Sequence, residues 1–469
     1  MTGTSDRPTT DRLETGRPPT DRPITDHPAG DHPAGGPTPR PAADTPARRA
    51  SGAAARLLPL VEVLTGTPAP LRLRAWDGST AGPPDAPTLV LRSRRALRRL
   101  LWQPDELGLA QAYVSGDLDV EGDLRQALRT VREAVEERGR VQPRPGTAFL
   151  TRAALTAARL GAVGPRPGAP QGQARLHGTP HTRTRDRAAI SHHYDLSNEF
   201  YELLLDPSMA YSCAYWTRTD PGYSLADAQH DKLELICRKL ELRPGMRLLD
   251  VGCGWGALVL HAARHHGVHA VGVTLAAEQA GFVRERVRQQ GLGDRVEIRH
   301  QHWRDVEATG FDAVTTVEMG EHVGDDHYPD FARQLRRALA PGGHLLLQQM
   351  SRGAHAPGGG AFIESFIAPD MHMRPLGATV SLLEEAGFEI RDVQGLREHY
   401  VATVDAWHET LERRREEVTA LVGPVTARVW RLYLVGGSLA FEQGRMGVDQ
   451  VLAQRPGASP SRPRTRSAR

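Results

Sequence analysis

Large apolar residues are spread unevenly along the chain, and their spacing divides it into segments of different character. Residues 1–52 contain no aromatic side chain and almost no large aliphatic one, and polar TDRP-like units recur at Thr10–Arg12, Thr20–Pro23 and Thr25–Pro28. Such a stretch buries too little apolar surface to offset its ordering entropy, so a disordered tail is expected. Between 53 and 140 the pattern changes: LRLRAW and TLVLRS read as short strands split by the turn DGSTAGPPDAP, and two amphipathic helices follow, RSRRALRRLLW and LRQALRTVREAVEER, with YVSGDLDVEGDL between them. A small α+β domain is expected there. In its first helix Leu97, Leu100 and Leu101 share a face while Arg94, Arg95, Arg98 and Arg99 cover the rest. That pattern suits a solvated surface helix or one lying on anionic lipid headgroups. Residues 141–187 read as a helix followed by a Pro/Gly/Arg linker.

From 188 to 456 the apolar runs become dense. MRLLDVG, HAVGVTL, RVEIRH, FDAVTTV and HLLLQQM are strand-like, and ALVLHAARHH, AAEQAGFVRERVRQQ and YPDFARQLRRALA carry helical spacing between several of them. Strand and helix in alternation predict an α/β domain, a mostly parallel sheet with helices on both faces. Residues 457–469 form a short basic tail, expected to be disordered.

Composition adds limits. The chain has 469 residues, 39% of them hydrophobic, with 47 Gly and 35 Pro, which fits two or three domains joined by irregular segments. A net charge of +3 does not by itself call for nucleic acid, and no nucleic-acid module is recognisable. The three cysteines, Cys213, Cys237 and Cys253, form no CxxC pair, so no zinc motif and no metal site is expected, and a reducing cytoplasm suits them. No run approaches the ~18 apolar residues of a membrane span, so a soluble chain able to touch a membrane surface is expected.

The glycine-rich stretch LLDVGCGWGALVL carries the first interpretable chemistry. An apolar strand ends in Gly252, Gly254 and Gly256, and a helix follows, a geometry that lets backbone approach a ligand. The spacing is G-x-G-x-G rather than G-x-G-x-x-G, Asp250 directly precedes the loop, and the next strand ends in Thr274 instead of an acid. This is similar to the first motif of class I S-adenosylmethionine-dependent methyltransferases; a dehydrogenase or a structural turn are the alternatives.

A second feature is the aromatic cluster SHHYDLSNEFYELLLDPSMAYSCAYW, residues 191–216, in a chain with only 5% aromatics. With LLDVGCGWG, VGVTLAAEQ, EMGEHVG, LAPGGHLLLQ, REHYVATVDAW and RVWRLYL in order, the chain resembles the cyclopropane-fatty-acyl-phospholipid synthases and their relatives, the mycolic acid cyclopropane synthases and fatty-acid C-methyltransferases. The resemblance spans 188–456, and the segment around AYVSGDLDVEGDL is similar to that family's N-terminal domain.

The resemblance implies a reaction. The π electrons of a cis double bond in a phospholipid acyl chain attack the sulfonium methyl group. Proton loss from the new methyl closes a cyclopropane; a hydride shift and proton loss at a neighbouring carbon give a methylene branch. It also implies S-adenosylmethionine as cofactor, with Tyr211 and Ser212 at its methionine end, Asp250 and the three loop glycines beside it, Thr274, Leu275 and Gln279 near the ribose, and Trp303 with Arg304 at the adenine. It further implies a bound bicarbonate as the base, cradled by Cys213, Glu321, Gln348, Met350 and Tyr400. Gln348 departs from the family's usual His, which leaves ring or branch open. Tyr211, Tyr215 and Trp216 are placed to stabilise a carbocation by their ring faces, or else to serve as core. The implied setting is cytoplasmic, peripheral on the inner membrane face, with a homodimer among the expected states. A methyltransferase of a soluble small molecule and a non-catalytic binding protein are the competing readings.

Overall fold

The computed structural model describes residues 52–65, 68–137, 146–174, 177–194, 196–354 and 359–457. The tails expected to be disordered fall almost wholly outside these residues.

Two sheets organise the described chain. The smaller has β1 (Arg72–Arg74), β2 (Thr80–Ala81), β3 (Thr88–Leu91) and β4 (Leu118–Glu121) in the order β2-β1-β3-β4. The larger has β5 (Arg247–Val251), β6 (His269–Thr274), β7 (Val296–His300), β8 (Phe311–Val317), β9 (Leu339–Arg352), β10 (Glu389–Gly395) and β11 (Met446–Gln454) in the order β10-β11-β9-β8-β5-β6-β7. Strands β5 to β9 pair in parallel; β11 runs antiparallel between β9 and β10. This is the α/β arrangement expected, a mostly parallel Rossmann-like sheet. Its central strands are buried on both faces, which is why burial in β5 and β8 runs nearly unbroken along the strand instead of alternating. The chain winds from β5 outward through β6 and β7, then returns to β8 on the other side of β5. That reversal leaves a crevice at the carboxyl ends of the strands, where such folds bind ligands.

The helix Leu225–Lys239 lies beside that crevice. Ser224 starts it with a capping box: its hydroxyl accepts from Asp227 N, and the Asp227 carboxylate accepts from Ser224 N. Gly256 ends the glycine loop at φ 83°, and a Cβ there would stand 2.5 Å from Val283 Cγ1, so this position demands glycine for packing as well as for backbone.

The small sheet does not sit on a free tether. Its helices share one apolar core with Val429, Val435 and Leu439 of the long helix Arg415–Glu442. Arg428 of that helix donates to the carbonyls of Tyr113 (2.6 Å) and Leu118 (2.8 Å) and to Asp119 (3.2 Å), and Arg125 pairs with Asp405 through two bonds of 2.6 and 3.0 Å. The segment after β9 docks here too: Phe362, Phe366 and Met371 enter the same core, and Phe362 N donates to Glu106. The expected linker is also fastened, since Arg98 and Arg99 donate to the carbonyls of Ala162 and Gly168, and Trp102 to that of Gly164. The arginines of the helix Arg94–Trp102 are therefore largely engaged within the protein, with Arg95 and Arg99 both on Asp117. That helix leaves Arg94 and Arg95 exposed together with the apolar Leu101 and Trp102.

Candidate active site

A cavity opens in the crevice beside β5, β6 and β8. Tyr211, Ser212, Asp250, Gly252, Gly254, Thr274, Leu275, Gln279 and Trp303 line it. Gly256 and Arg304, expected in the same set, do not. Gly256 packs against Val283, and Arg304 stacks on Trp303 with its guanidinium 4.6 Å from the ring centroid while donating to Asp186. Arg304 thus positions Trp303 from behind.

The floor of the cavity is held by residues that the motifs did not reveal. Lys232, 2% exposed, donates to Ser212 Oγ at 2.9 Å. Gln229 donates to the carbonyls of Ala210 (3.2 Å) and Ser212 (2.9 Å), fixing the loop that carries Tyr211. Burial lowers the Lys232 pKa, opposed by the charge of Glu318. Burial pushes the Asp250 carboxyl up to about 6, against a 2.7 Å bond from Thr315 Oγ1.

The lining fits S-adenosylmethionine. Lys232 and Ser212 would hold the carboxylate of its methionine end, and Asp250 its ammonium. Nothing stands within 4 Å of where a Gly254 Cβ would be, while a Cβ on Gly252 would press on Met319 at 2.8 Å, so the loop keeps its approach to a ligand open. Thr274 and Gln279, bonded to each other at 2.8 Å, offer polar groups to a ribose, and Trp303 a face to adenine.

Beside this lies the site's most informative feature, the carboxylate of Glu318. Cys213 N and Gln348 Nε2 each donate to Glu318 Oε1 at 2.8 Å, and Tyr400 Oη donates to Oε2 at 2.6 Å. Gln450 in turn donates to Gln348 Oε1 at 2.9 Å, which fixes the amide with its NH2 toward Glu318. Glu318 stands at φ 51°, a left-handed conformation costing about 1–3 kcal/mol for a non-glycine residue and found mostly where function imposes it. Met209 and Asp370, also at positive φ, line the same cavity. Three of the donors expected to cradle bicarbonate, on Cys213, Gln348 and Tyr400, are therefore taken by Glu318, and the backbone N–H of Met350 is taken by Glu321. Bicarbonate does not fit there as the resemblance implied, and Glu321 is not a member of this cradle. Desolvation raises the Glu318 pKa; the bonds from Tyr400, Cys213 and Gln348 counter it.

Glu321 sits apart, fully buried, one oxygen accepting from Met350 N at 2.5 Å and the other with no hydrogen-bond partner among the described residues. Burial, reinforced by the nearby Glu318 charge, pushes it up to about 8, so it holds a proton at neutral pH. The folded state then binds a proton that the unfolded state releases near pH 4.5. Stability from this group is present below that pH, is lost progressively as pH rises towards about 8, and is flat beyond. Glu321→Gln is expected to flatten the fall in melting temperature between pH 5 and 8, which a pH series of thermal melts will read.

Of Tyr211, Tyr215 and Trp216, Tyr211 alone lines the cavity. Its hydroxyl donates to Tyr433 Oη at 3.2 Å, and its ring packs among Tyr201, Trp407 and Trp430. Tyr215 and Trp216 instead pack on the helix Arg397–Arg413, Tyr215 against His399 and Trp216 through Thr403, so their role is packing. The Cys213 thiol is fully buried and pushed well up by desolvation; its contribution to the cradle is its backbone N–H.

The family model described as mycolic acid cyclopropane synthetase matches residues 181–451. The chain belongs to this family. It is 38% identical to "Probable fatty acid methyltransferase Rv3720" of Mycobacterium tuberculosis over 84% of this chain and 93% of that protein. It is 32% identical to "Cyclopropane mycolic acid synthase 3" of the same organism over 57% of this chain and 96% of that one. The solved structure of mycolic acid cyclopropane synthase CmaA1 complexed with SAH and CTAB superposes with a TM-score of 0.54 at 31% identity, over 57% of this chain and 98% of that one. As a member of the mycolic acid cyclopropane synthetase family, the chain is an S-adenosylmethionine-dependent methyltransferase with the class I fold. Among the described residues no helix is long and apolar enough to cross a membrane.

Proposed function

We propose that this methyltransferase acts on the cis double bond of an unsaturated phospholipid acyl chain, leaves a methylene branch, and uses Glu318 as the base. The carboxylate of Glu318, held on three donors at the edge of the cofactor cavity, is the observation that carries this reading. S-adenosylmethionine, when bound, supplies a sulfonium methyl group as electrophile. The alkene π pair forms the new carbon–carbon bond, and the pair of the broken sulfur–methyl bond stays on sulfur. A cation remains on the acyl chain; a hydride shift moves it beside the new methyl group, and Glu318 takes the proton that the methyl then loses. Tyr400 and Gln348 hold the carboxylate still, and their hydrogen bonds favour its charged form against the desolvation that raises its pKa. Tyr211 turns an aromatic surface to the cavity, suited to a cationic chain, and the packing around it excludes water.

Likeness along the chain supports a fatty acyl substrate. The fatty acid methyltransferase is matched over 84% of this chain, and cyclopropane mycolic acid synthase 3 over 57%. Exposed Leu101, Trp102 and Val163, with Trp102 bonded beside Val163 through Gly164, support a peripheral contact with lipid.

The test is incubation with cofactor carrying a fully deuterated methyl group and vesicles of cis-unsaturated phospholipid, followed by fragmentation of the released fatty acids. A product retaining two deuteriums that takes up hydrogen to give a methyl branch is expected. A product resistant to hydrogenation would place the proton loss at ring closure instead. No mass gain while the cofactor still binds would favour a soluble substrate.

A further inference from the structure

Outside the cofactor cavity, a cluster of chemically capable side chains among the described residues belongs to nothing described so far. It lies on the seam between the helices Leu225–Lys239 and Ala257–His266. His230 and Glu234 stand one turn apart on the first; His261, His265 and His266 project from the second. Four imidazoles thus gather around one carboxylate. Glu234 Oε1 lies 2.8 Å from His261 Nε2 and 3.2 Å from His266 Nε2, and the ring centroids of His261 and His265 are 4.6 Å apart. We infer that His230, Glu234 and His261 form a binding site for a divalent transition-metal ion such as Zn2+ or Ni2+.

The geometry carries the inference. One ligand atom from each of these three residues lies within 4.8 Å of the other two. Ligands of a tetrahedral zinc ion, bound at about 2.0 Å, stand about 3.3 Å from one another. His230, exposed at the mouth and only loosely held by Asp231 at 3.7 Å, turns inward by that difference, whereas Glu234 and His261 are already held together. Imidazole with carboxylate is the donor set that Zn2+ and Ni2+ favour. Water or the exposed His265 completes the sphere. A second triad, Cys237, His261 and His266, shares His261 but lies deeper. Cys237 is fully buried, and the His230 triad alone offers the ion a direct entry from solvent.

The position gives the ion a structural effect on catalysis without a chemical part in it. The first helix sends Gln229 and Lys232 from its other side to the Tyr211–Ser212 loop, and the second helix starts directly after the glycine loop. An ion on the seam clamps together the two helices that frame the methionine end of the cofactor cavity.

The experiment uses the full chain without a polyhistidine tag. Calorimetric titration with Zn2+ and with Ni2+ is expected to show one ion per chain, and the bound ion to raise the melting temperature by a few degrees, reversed by a chelator. Substituting Co2+ is expected to give a visible ligand-field spectrum. His230→Gln alters only an exposed residue and Glu234→Gln preserves shape; each is expected to weaken binding at least about tenfold, the loss of one ligand interaction. No ion bound at micromolar concentration, binding undiminished in both variants, or binding abolished only by Cys237→Ser would each overturn the assignment.

Discussion

Glu318→Gln is expected to lower turnover by about 10²–10⁴-fold while S-adenosylmethionine still binds, the range for losing a positioned general base. The amide has nearly the shape of the carboxylate and still accepts from Cys213 N or Tyr400, so the fold should survive. What disappears is the charge that receives the proton. Single-turnover kinetics with deuterated cofactor would separate this from a binding defect, because the variant would bind and stall. Glu318→Gly sharpens the test. It leaves the backbone N–H of Cys213, the amide of Gln348 and the hydroxyl of Tyr400 facing an empty space the size of a carboxylate, and added formate is expected to restore part of the rate. Full turnover in Glu318→Gln together with a dead Glu321→Gln would move the base to Glu321. Tyr400→Phe removes only one of the three donors and is expected to fall between wild type and Glu318→Gln.

The second large effect is on stability. Arg428→Ala is expected to cost about 3 kcal/mol, measured by denaturant unfolding, because it strips partners from two carbonyls and from Asp119 in a mostly buried setting. Its guanidinium also lies 4.2 Å from the centroid of the Tyr113 ring, so the planar group matters as well as its charge. Arg428→Lys is therefore expected to recover only a minor part of the loss. A change below about 1 kcal/mol, the worth of an exposed ion pair, would show that the shared apolar core alone holds the small sheet in place.

The parallel strands were legible because their two-sided burial writes continuous apolar runs, and the glycine loop because its residues obey backbone constraints visible in sequence. The cofactor lining followed the family motifs closely. Glu318 did not, although EMGEHVG contains it: the family motif points to the second glutamate of that stretch, while the first follows strand β8 at the cavity end, where a charged side chain is informative. Lys232 also left a trace. It falls on the buried stripe Ala228, Lys232, Ile236, where a lysine is out of place unless it has a partner. The docking of the small sheet left no such trace, because Arg428 and Tyr113 are more than three hundred positions apart and each reads locally as an ordinary surface residue. The histidine seam was equally hidden, since its ligands come from two helices and obey no short spacing rule.

A base built into the chain, as proposed for Glu318, changes what the reaction depends on. An anion borrowed from solution must be present at sufficient concentration, must compete with other anions, and must rebind when lost. Glu318 is supplied at one per site by translation and held at a fixed distance by Tyr400, Gln348 and Cys213. The rate should then be indifferent to dissolved carbon dioxide, so the enzyme should run at full speed in degassed buffer and in cells whose carbonate pool is low.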